Sequence, residues 1–166
     1  MCFSDFVRAI KSPSLREVAC HWNEVRGACA MPDWGDIRPS RIAQQLPVIW
    51  SYRFEDDAFV GRLAGDQVEK VFGMTFRGTP MKDLYPTDQY PIVFGRLRRV
   101  VCEPALYLEK GNVFQLVEHY GYGERIAMPL SRDGATGDGI VGATVYEAFR
   151  ATDAQTVRDE ERWYTL

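Results

Sequence analysis

Residues 48–65 decide the fold, and they read VIWSYRFEDDAFVGRLAG. From Val48 to Phe54 every second residue is aliphatic or aromatic, which is the period of a strand with one buried face. Residues 55–57 are acidic and favour a turn, and residues 59–64 then alternate in the same way. The stretch therefore predicts a β-hairpin.

Helical patterns follow this hairpin. Residues 67–72 predict a short helix, and residues 90–102 carry the strongest helical pattern of the chain. The apolar stripe of the longer helix consists of Ile92, Val93, Leu97, Val100 and Val101. Arg96, Arg98 and Arg99 form a basic cluster on its exposed side, either an ordinary solvated face or a contact for an acidic partner, a phosphate or a nucleotide.

The chain from residue 105 to residue 146 is predicted to be extended. Strand patterns cover 105–109, 113–120, 124–130 and 140–146, and the first two are either separate strands or one strand with a bulge. For strands on both sides of a helical block to share one antiparallel sheet, the helices must cross one face of it. This order predicts an α+β domain with an internal pocket.

Two flanking segments complete the predicted organisation. Residues 1–46 form a helical extension and connector, residues 47–148 form the core, and residues 149–166 form a polar, loosely held tail. A helix begins at Ser12-Pro13 and ends before Gly27. Its apolar stripe consists of Leu15, Val18, Trp22 and Val25. The stripe either contacts a second subunit or packs back on the chain's own sheet.

Composition disfavours several functional classes. The 166 residues are 46% apolar, which suffices for one core but is short for two domains. The net charge of −3 disfavours direct binding of nucleic acid. Neither a secretory signal nor a membrane-spanning run is visible, so we expect a cytoplasmic protein without membrane contact. The four cysteines are far apart, which predicts reduced, mostly buried thiols and no metal site.

Several short motifs recur in a specific order between residues 15 and 148. They are Trp22 with Arg26-Gly27, Met31-Pro32 with Asp36-Ile37 and Pro39, Leu46-Pro47, Arg62-Leu63-Ala64-Gly65, Phe72-Gly73 with Gly78 and Asp83-Leu84, Glu124-Arg125, Met128-Pro129-Leu130, Asp133-Gly134, and Gly142. Their order resembles the PAS family, specifically a stand-alone bacterial group with a Trp helix, a Met-Pro loop and a terminal Met-Pro-Leu strand.

The resemblance implies a five-stranded antiparallel sheet with short helices on one face and an N-terminal flanking helix. It also implies a ligand pocket, a homodimer and a signalling-protein partner, but no particular reaction. The Asn-Cys-Arg-Phe motif of the flavin-binding members is missing, and residues 90–102 lack the histidine of the haem-binding members. We therefore predict neither flavin nor haem and no other cofactor.

The predicted pocket residues are those whose side chains converge between sheet and helices. They are Trp50, Tyr52, Phe59, Phe72, Phe94, His119 and Met128. The apolar members either line a ligand pocket or pack as ordinary core. His119 is either a polar contact in that pocket or a histidine packed on the strand.

The leading hypothesis is a sensory or regulatory protein, not an enzyme, that binds a small apolar or amphipathic ligand and signals by protein–protein contact. Two alternatives remain open at this point. One is a small cavity enzyme in which His119 and a nearby carboxylate or tyrosine transfer a proton. The other is a ligand-free adaptor with a filled core.

Overall fold

The structure is a computed structural model that describes residues 2–113, 121–148 and 158–166. Within these residues the helices are α1 (Phe3–Ala9), α2 (Pro13–Arg26), α3 (Asp66–Phe72), α4 (Met81–Leu84) and α5 (Tyr90–Cys102). The strands are β1 (Ile49–Glu55), β2 (Ala58–Ala64), β3 (Ala105–Asn112), β4 (Gly121–Leu130), β5 (Gly139–Ala148) and β6 (Glu160–Thr165). Short 3₁₀ turns at Trp34–Asp36, Pro39–Arg41 and Ala43–Val48 connect α2 to β1.

The strands form one antiparallel sheet in the order β2-β1-β5-β4-β3-β6. The predicted hairpin is confirmed, because β1 pairs with β2 and Phe54 lies opposite Phe59. Asp56 and Asp57 form its turn with positive φ angles of 51° and 55°. Two residues of this conformation give a turn whose twist matches that of the flanking strands.

The sixth strand was not predicted. Residues 160–165 were expected to belong to a loosely held tail, but they pair with β3 as β6. The Tyr164 ring packs against Phe6 at 5.4 Å, and the Trp163 ring packs against Tyr107 at 4.6 Å. One aromatic side chain on each face anchors the strand, although its first residues are charged. The sheet thus has six strands and not five.

Helices α1 and α2 cover one face of the sheet, which we call the N-terminal face. The Ser12 hydroxyl caps α2 by accepting a hydrogen bond from the Leu15 amide at 3.3 Å. Trp22 is fully buried, and its indole donates a hydrogen bond to the Pro129 carbonyl of β4 at 2.9 Å. The predicted helix is therefore confirmed, and its apolar side packs on the chain's own sheet.

Helices α3, α4 and α5 cover the opposite face, which we call the α5 face. The Trp50 indole lies against Gly142 of β5, where a Cβ atom would clash with the ring. Its N–H donates to the Thr144 hydroxyl at 3.0 Å. Short helices were predicted on one face and a flanking helix at the N-terminus, and in the structure α1 and α2 pack on the other face of the sheet. As a result β3 is buried along its whole length.

The cysteines lie differently from the prediction. Cys2, Cys20, Cys29 and Cys102 are free thiols, and all four are exposed, whereas most were expected to be buried. Cys20 and Cys102 lie on α2 and α5, on the sides of these helices that point away from the sheet. The apolar stripes of both helices bury other residues, so the thiols are left to solvent.

Candidate ligand-binding cavity

A small cavity lies between the sheet and the helices of the α5 face. Its volume is about 20 Å³, which is room for about one water molecule. The lining residues are Trp50, Tyr52, Val68, Phe72, Phe76, Tyr85, Val93, Arg96, Leu97, Tyr107 and Arg125. Strands β1, β3 and β4 supply one wall, and α3, α5 and the segments around α4 supply the other.

The polar part of the wall consists of Tyr52, Tyr85, Arg96, Tyr107 and Arg125. Within the parts of the chain that the structure describes, the buried Tyr107 hydroxyl makes no hydrogen bond, and the buried Tyr52 hydroxyl has the Tyr85 hydroxyl as its neighbour without a hydrogen bond of normal geometry. Burial raises the pKa of Tyr52 and of Tyr107, so both stay protonated at neutral pH. An unsatisfied buried hydroxyl costs about 1–3 kcal/mol. A bound water or ligand atom that accepted these bonds would remove that cost.

A buried charged network borders the hydroxyls. Arg125 on β4 donates to the Glu109 carboxylate at 3.1 Å and to the Thr144 hydroxyl at 3.2 Å. Arg96 on α5 lies 3.7 Å from Glu109 and also pairs with Glu161 on β6. Burial raises the pKa of Glu109, while the two arginines act in the opposite direction. The network links strands β3, β4, β5 and β6 to helix α5 beside the cavity.

Three of the predicted pocket residues line this cavity. They are Trp50, Tyr52 and Phe72. Phe59 and Phe94 belong to the same hydrophobic cluster, and their rings contact each other at 5.7 Å. They pack behind the cavity wall instead of forming it. Ligand binding by these side chains stays a prediction.

One further predicted pocket residue, Met128, lies on the other face of the sheet. The placement of Met128 was wrong, because the even-numbered residues of β4 point to the N-terminal face, where Met128 is buried beside Ile126. His119 lies outside the described residues. The histidine–carboxylate pair of the enzyme hypothesis therefore falls outside them as well.

The apolar stripe of α2 is occupied within the chain. Leu15, Val18 and Trp22 are buried in the core of the N-terminal face, and Val25 is partly buried against it. Of the two predicted arrangements, packing on the chain's own sheet is the one observed. A subunit contact through this stripe stays a prediction, and it would require these side chains to leave their present contacts.

Sequence reasoning missed the polar half of the cavity. Arg96 was assigned to the exposed basic cluster, but its side chain is only 24% exposed and reaches inward to Glu109. Tyr107 and Arg125 were not singled out as pocket residues. The available signal was strand alternation, since Tyr107 and Glu109 are two residues apart and share a face. All residues of β3 are buried, on both faces of the sheet. The burial of β3 therefore does not show which of its residues share a face.

Comparison with known families agrees with this architecture. The sequence profile described as PAS domain matches residues 10–145, which cover most of the chain and reach from the end of α1 to β5. The chain belongs to the PAS domain family. The predicted family resemblance and the α+β class are therefore confirmed, with the strand count corrected to six.

Among solved structures, this PAS domain is similar to a sensory box sensor histidine kinase from Vibrio cholerae. The two share 14% sequence identity with a TM-score of 0.45, over 64% of this chain and 84% of the other. The comparison with curated proteins gave no match.

The PAS domain is a sensory fold that typically serves signalling. In residues 2–113, 121–148 and 158–166, no helix combines the length and the apolar composition needed to cross a bilayer. In the same residues, no group of three or more His, Cys, Asp or Glu side chains is placed to hold a metal ion.

Proposed function

We propose that this PAS domain binds a small apolar or amphipathic molecule in the cavity and passes its occupancy to another protein by direct contact. The observation that carries the proposal is the pair of buried hydroxyls, Tyr52 and Tyr107, in a wall that is otherwise largely apolar. Val68, Phe72 and Leu97 lie across the cavity from them on α3 and α5. An apolar surface with a few convergent polar groups is the usual composition of a small-molecule site.

The cavity must widen to take such a molecule, since it holds about one water in this structure. The wall formed by α3 is the part suited to move. This helix has seven residues and ends at Gly73, and the following Met74 is 47% exposed. Short helices with few buried side chains open at a lower free-energy cost than central strands. We expect the ligand to displace Phe72, which is only partly buried.

A series of contacts leads from the cavity to the molecular surface at β6. Tyr107 lines the cavity and stacks its ring on Trp163, and the Arg99 guanidinium lies 4.3 Å from the centre of the Trp163 ring system. Arg96 lines the cavity as well and pairs with Glu161 of the same strand. A ligand that moves Tyr107 or Arg96 therefore alters the surface formed by α5 and β6. We place the contact with the signalling partner on that surface.

A homodimer is also part of the proposal. The apolar stripe of α2 is buried on the sheet, so a dimer through that stripe would require α2 to detach. The surface of α5 and β6 offers a contact that needs no such change. Sedimentation of the protein over a range of concentrations measures the association state, and a monomer at every concentration would remove the dimer from the proposal.

The small cavity volume supports a second candidate function, a ligand-free adaptor. An adaptor would use the same α5 and β6 surface without any change in the interior. The two candidates differ in what they require of the cavity: a ligand-binding protein must open it, whereas an adaptor keeps it closed.

Calorimetric titration with 1-naphthol, a planar aromatic molecule with one hydroxyl, separates the two candidates. Val93→Phe places a larger side chain in the cavity wall and is expected to weaken binding at least about tenfold, because overpacking excludes the probe. Ile92→Phe adds the same ring at the neighbouring position of α5, which is 46% exposed, and is expected to leave binding unchanged.

Circular dichroism and thermal unfolding show whether both variants fold. A wild-type protein that binds no 1-naphthol contradicts ligand binding and favours the adaptor. A folded Val93→Phe variant that binds 1-naphthol as well as wild type contradicts the assignment of the site to this cavity. Native mass spectrometry of protein purified from its own cells is an independent measurement, since it reports any molecule that co-purifies.

Amide hydrogen exchange tests the route to the surface. With 1-naphthol bound, exchange in β6 is expected to change more than exchange in β2, which is the other edge of the sheet. Equal changes at the two edges would contradict a route through Trp163 and Glu161.

A further inference from the structure

His21 on α2 is a buried histidine that accepts a hydrogen bond from the backbone. The residue is 6% exposed, and its Nε2 accepts from the Arg38 amide at 3.0 Å. A neutral imidazole has one nitrogen that accepts and one that carries the proton. The proton of His21 therefore lies on Nδ1, and the Glu24 carboxylate is 3.9 Å from that atom. An imidazolium carries a proton on both nitrogens, so protonation of His21 removes the acceptor of the Arg38 amide.

The Arg38 amide belongs to residues 38–41, which we call the arginine turn. The residues on either side of it, Ile37 and Ile42, are buried in the core of the N-terminal face. The four residues of the turn are exposed. The turn is therefore anchored at both ends, and it can move away from α2 without exposing core side chains.

Among the residues that the structure describes, two polar contacts join the arginine turn to α2. One is the bond from the Arg38 amide to His21, and the other is the pair of Arg41 with Glu24 at 3.7 Å. Both side chains of that pair are more than 60% exposed, so the pair contributes little to stability. The attachment of the turn to α2 thus depends mainly on the neutral form of His21.

The charges around His21 act in the same direction as the loss of the bond. Arg38 and Arg41 disfavour the imidazolium, and both belong to the turn, so a proton on His21 repels the turn. Glu24 favours the imidazolium, but it lies on α2 together with His21 and does not hold the turn to it. Asp36 lines the same cleft, and its carboxylate accepts a hydrogen bond from the Asp33 amide.

Burial lowers the pKa of His21 and outweighs the opposing effect of Glu24. The attached state of the turn therefore binds the proton less tightly than a released state in which water reaches the ring. The attachment is favoured above about pH 6.5, the ordinary pKa of histidine, and weakens as the pH falls below it. A cleft of about 190 Å³ between α2 and the turn has room for several water molecules, which can bond the freed amide.

We propose that protonation of His21 releases the arginine turn from α2, while Ile37 and Ile42 stay anchored and the sheet keeps its fold. The N-terminal face then responds to pH through a local change of structure. This response goes beyond the proposed function, because it requires neither a ligand nor a change in the cavity of the α5 face.

Nitrogen-15 NMR of the histidine rings in the wild-type protein tests the starting state. At pH 7.5 the His21 ring is expected to carry its proton on Nδ1, with Nε2 unprotonated. Its signals are assigned by their loss in His21→Gln. A His21 ring that is protonated on Nε2 at pH 7.5 overturns the proposal, whatever the variants do.

Amide hydrogen exchange at pH 7.5 and pH 5.0 measures the release. The protection factor of the Arg38 amide is expected to be at least about fivefold lower at pH 5.0. The Gly65 amide, bonded to the Ile49 carbonyl at 2.8 Å, is the control and is expected to keep its protection. An Arg38 protection factor that is the same at both pH values, or that falls together with that of Gly65, overturns a local release.

His21→Gln separates the titration of this ring from that of other groups. The Gln side-chain oxygen can accept the bond from the Arg38 amide but cannot be protonated in this range. The variant is therefore expected to protect this amide equally at pH 7.5 and pH 5.0. A folded variant in which the protection falls as much as in wild type overturns the assignment to His21.

Two substitutions of neighbouring charges are expected to shift the midpoint of the release in opposite directions. Glu24→Gln removes a charge that favours the imidazolium, so the midpoint is expected at lower pH. Arg41→Gln removes a charge that disfavours it, so the midpoint is expected at higher pH. Midpoints that stay unchanged or move in the reverse directions overturn the proposal.

Discussion

The two faces of the sheet are packed differently, although the same strands supply both. On the N-terminal face, Leu106 and Leu108 of β3 are buried among apolar side chains that include Trp22. One residue further along the same strand, on the α5 face, Tyr107 borders a cavity with a hydroxyl that lacks a partner among the described residues, and Arg125 of β4 places a charge beside it. Neighbouring residues of β3 therefore point into two different environments. One is packed by apolar side chains, and the other borders a cavity with polar groups in its wall.

The difference indicates that the N-terminal face mainly stabilises the fold, whereas the α5 face is the one suited to bind a ligand. Apolar burial dominates the N-terminal face, and its buried ion pair, Lys110 with Glu124 at 3.4 Å, is also hydrogen-bonded to the backbone of Ala9, Lys11 and Ser12. Unsatisfied hydroxyls and buried charges on the α5 face lower stability, and groups of that kind are expected where a site binds something. Substitutions on the two faces are therefore expected to change the free energy of unfolding for different reasons. On the N-terminal face the loss of apolar packing lowers it, whereas on the α5 face the change depends on buried charges and hydroxyls.

Trp22→Ala tests the N-terminal face and has the largest expected effect. The side chain is fully buried, and its N–H is bonded to the Pro129 carbonyl. Its removal is expected to lower the free energy of unfolding by about 4 kcal/mol, measured by urea denaturation. Trp34→Ala is the control, since that ring is only partly buried and contacts Arg62 at 5.1 Å, and its cost is expected to be about 1 kcal/mol. If Trp22→Ala lowered the free energy of unfolding less than Trp34→Ala does, the N-terminal face would not be the main source of stability.

Arg125→Met tests whether stability on the α5 face depends on charge instead of volume. The variant keeps a side chain of similar length but leaves Glu109 without its nearest cation, so a loss of about 3 kcal/mol is expected in urea denaturation. Adding Glu109→Gln to Arg125→Met removes the uncompensated charge and is expected to restore most of that loss. A double variant no more stable than Arg125→Met would show that packing, and not charge, is responsible.

The contribution of Glu109 to the free energy of unfolding changes with pH, and the pKa shift of its carboxyl gives the direction. Burial raises the folded-state pKa of Glu109 above its ordinary value, so the folded protein binds this proton more tightly than the unfolded chain. The stability contributed by the protonated form is present at low pH and is lost as the pH rises through the raised pKa. The deficit of Arg125→Met is therefore expected to shrink when denaturation is repeated near pH 4.5, and a deficit that grows there would contradict the argument.

Tyr107→Phe is a substitution on the α5 face that is expected to stabilise the protein. Because the hydroxyl has no partner within the described residues, its removal is expected to raise the free energy of unfolding by about 1 kcal/mol. Thermal unfolding measures the change, with Tyr122→Phe as an exposed control of no effect. A loss of stability on Tyr107→Phe would show that the hydroxyl is already satisfied, by a bound water or a ligand.

The smallest expected effect concerns His21 at the rim of the N-terminal face. Its Nε2 accepts a hydrogen bond from the Arg38 amide at 3.0 Å, and Glu24 and Arg41 are its charged neighbours. Burial lowers the pKa of His21, so the unfolded chain binds the proton more tightly and stability falls as the pH drops below about 6.5. Between pH 7.5 and 5.5 we expect a loss of about 1 kcal/mol or less that His21→Gln reduces. An unchanged pH slope in that variant would assign the loss to other groups.

Much of the fold was predictable because its signals are local. The hairpin of β1 and β2 depends on a period of two and an acidic turn, and α5 depends on a stripe with helical spacing. Trp50 and Tyr52 followed from the same alternation and do line the cavity. The sequence pattern of each of these features lies within fewer than about twenty residues. It can therefore be recognised without knowing which other part of the chain packs against it.

The polar half of the site was not predictable in this way. Arg96 belongs to a run of three basic residues that is typical of a solvated helix face, and only the approach of Glu109 and Glu161 draws it inward. The Glu161 contact depends on β6, which a polar sequence gave no reason to expect. Met128 was assigned to the wrong face because its strand was assumed to have one buried side and one open side.

The sequence by itself determined the family, the hairpin, the two longer helices and the aromatic part of the cavity, since these follow from short-range periodicity and turn chemistry. Only the tertiary structure decided that α1 and α2 cover the second face, that residues 160–165 close the sheet, and that Tyr107, Arg125 and Arg96 meet around one cavity. The physical reason is burial on both faces. When both sides of a strand are covered, every position is buried and the alternation that tells the sides apart disappears from the sequence.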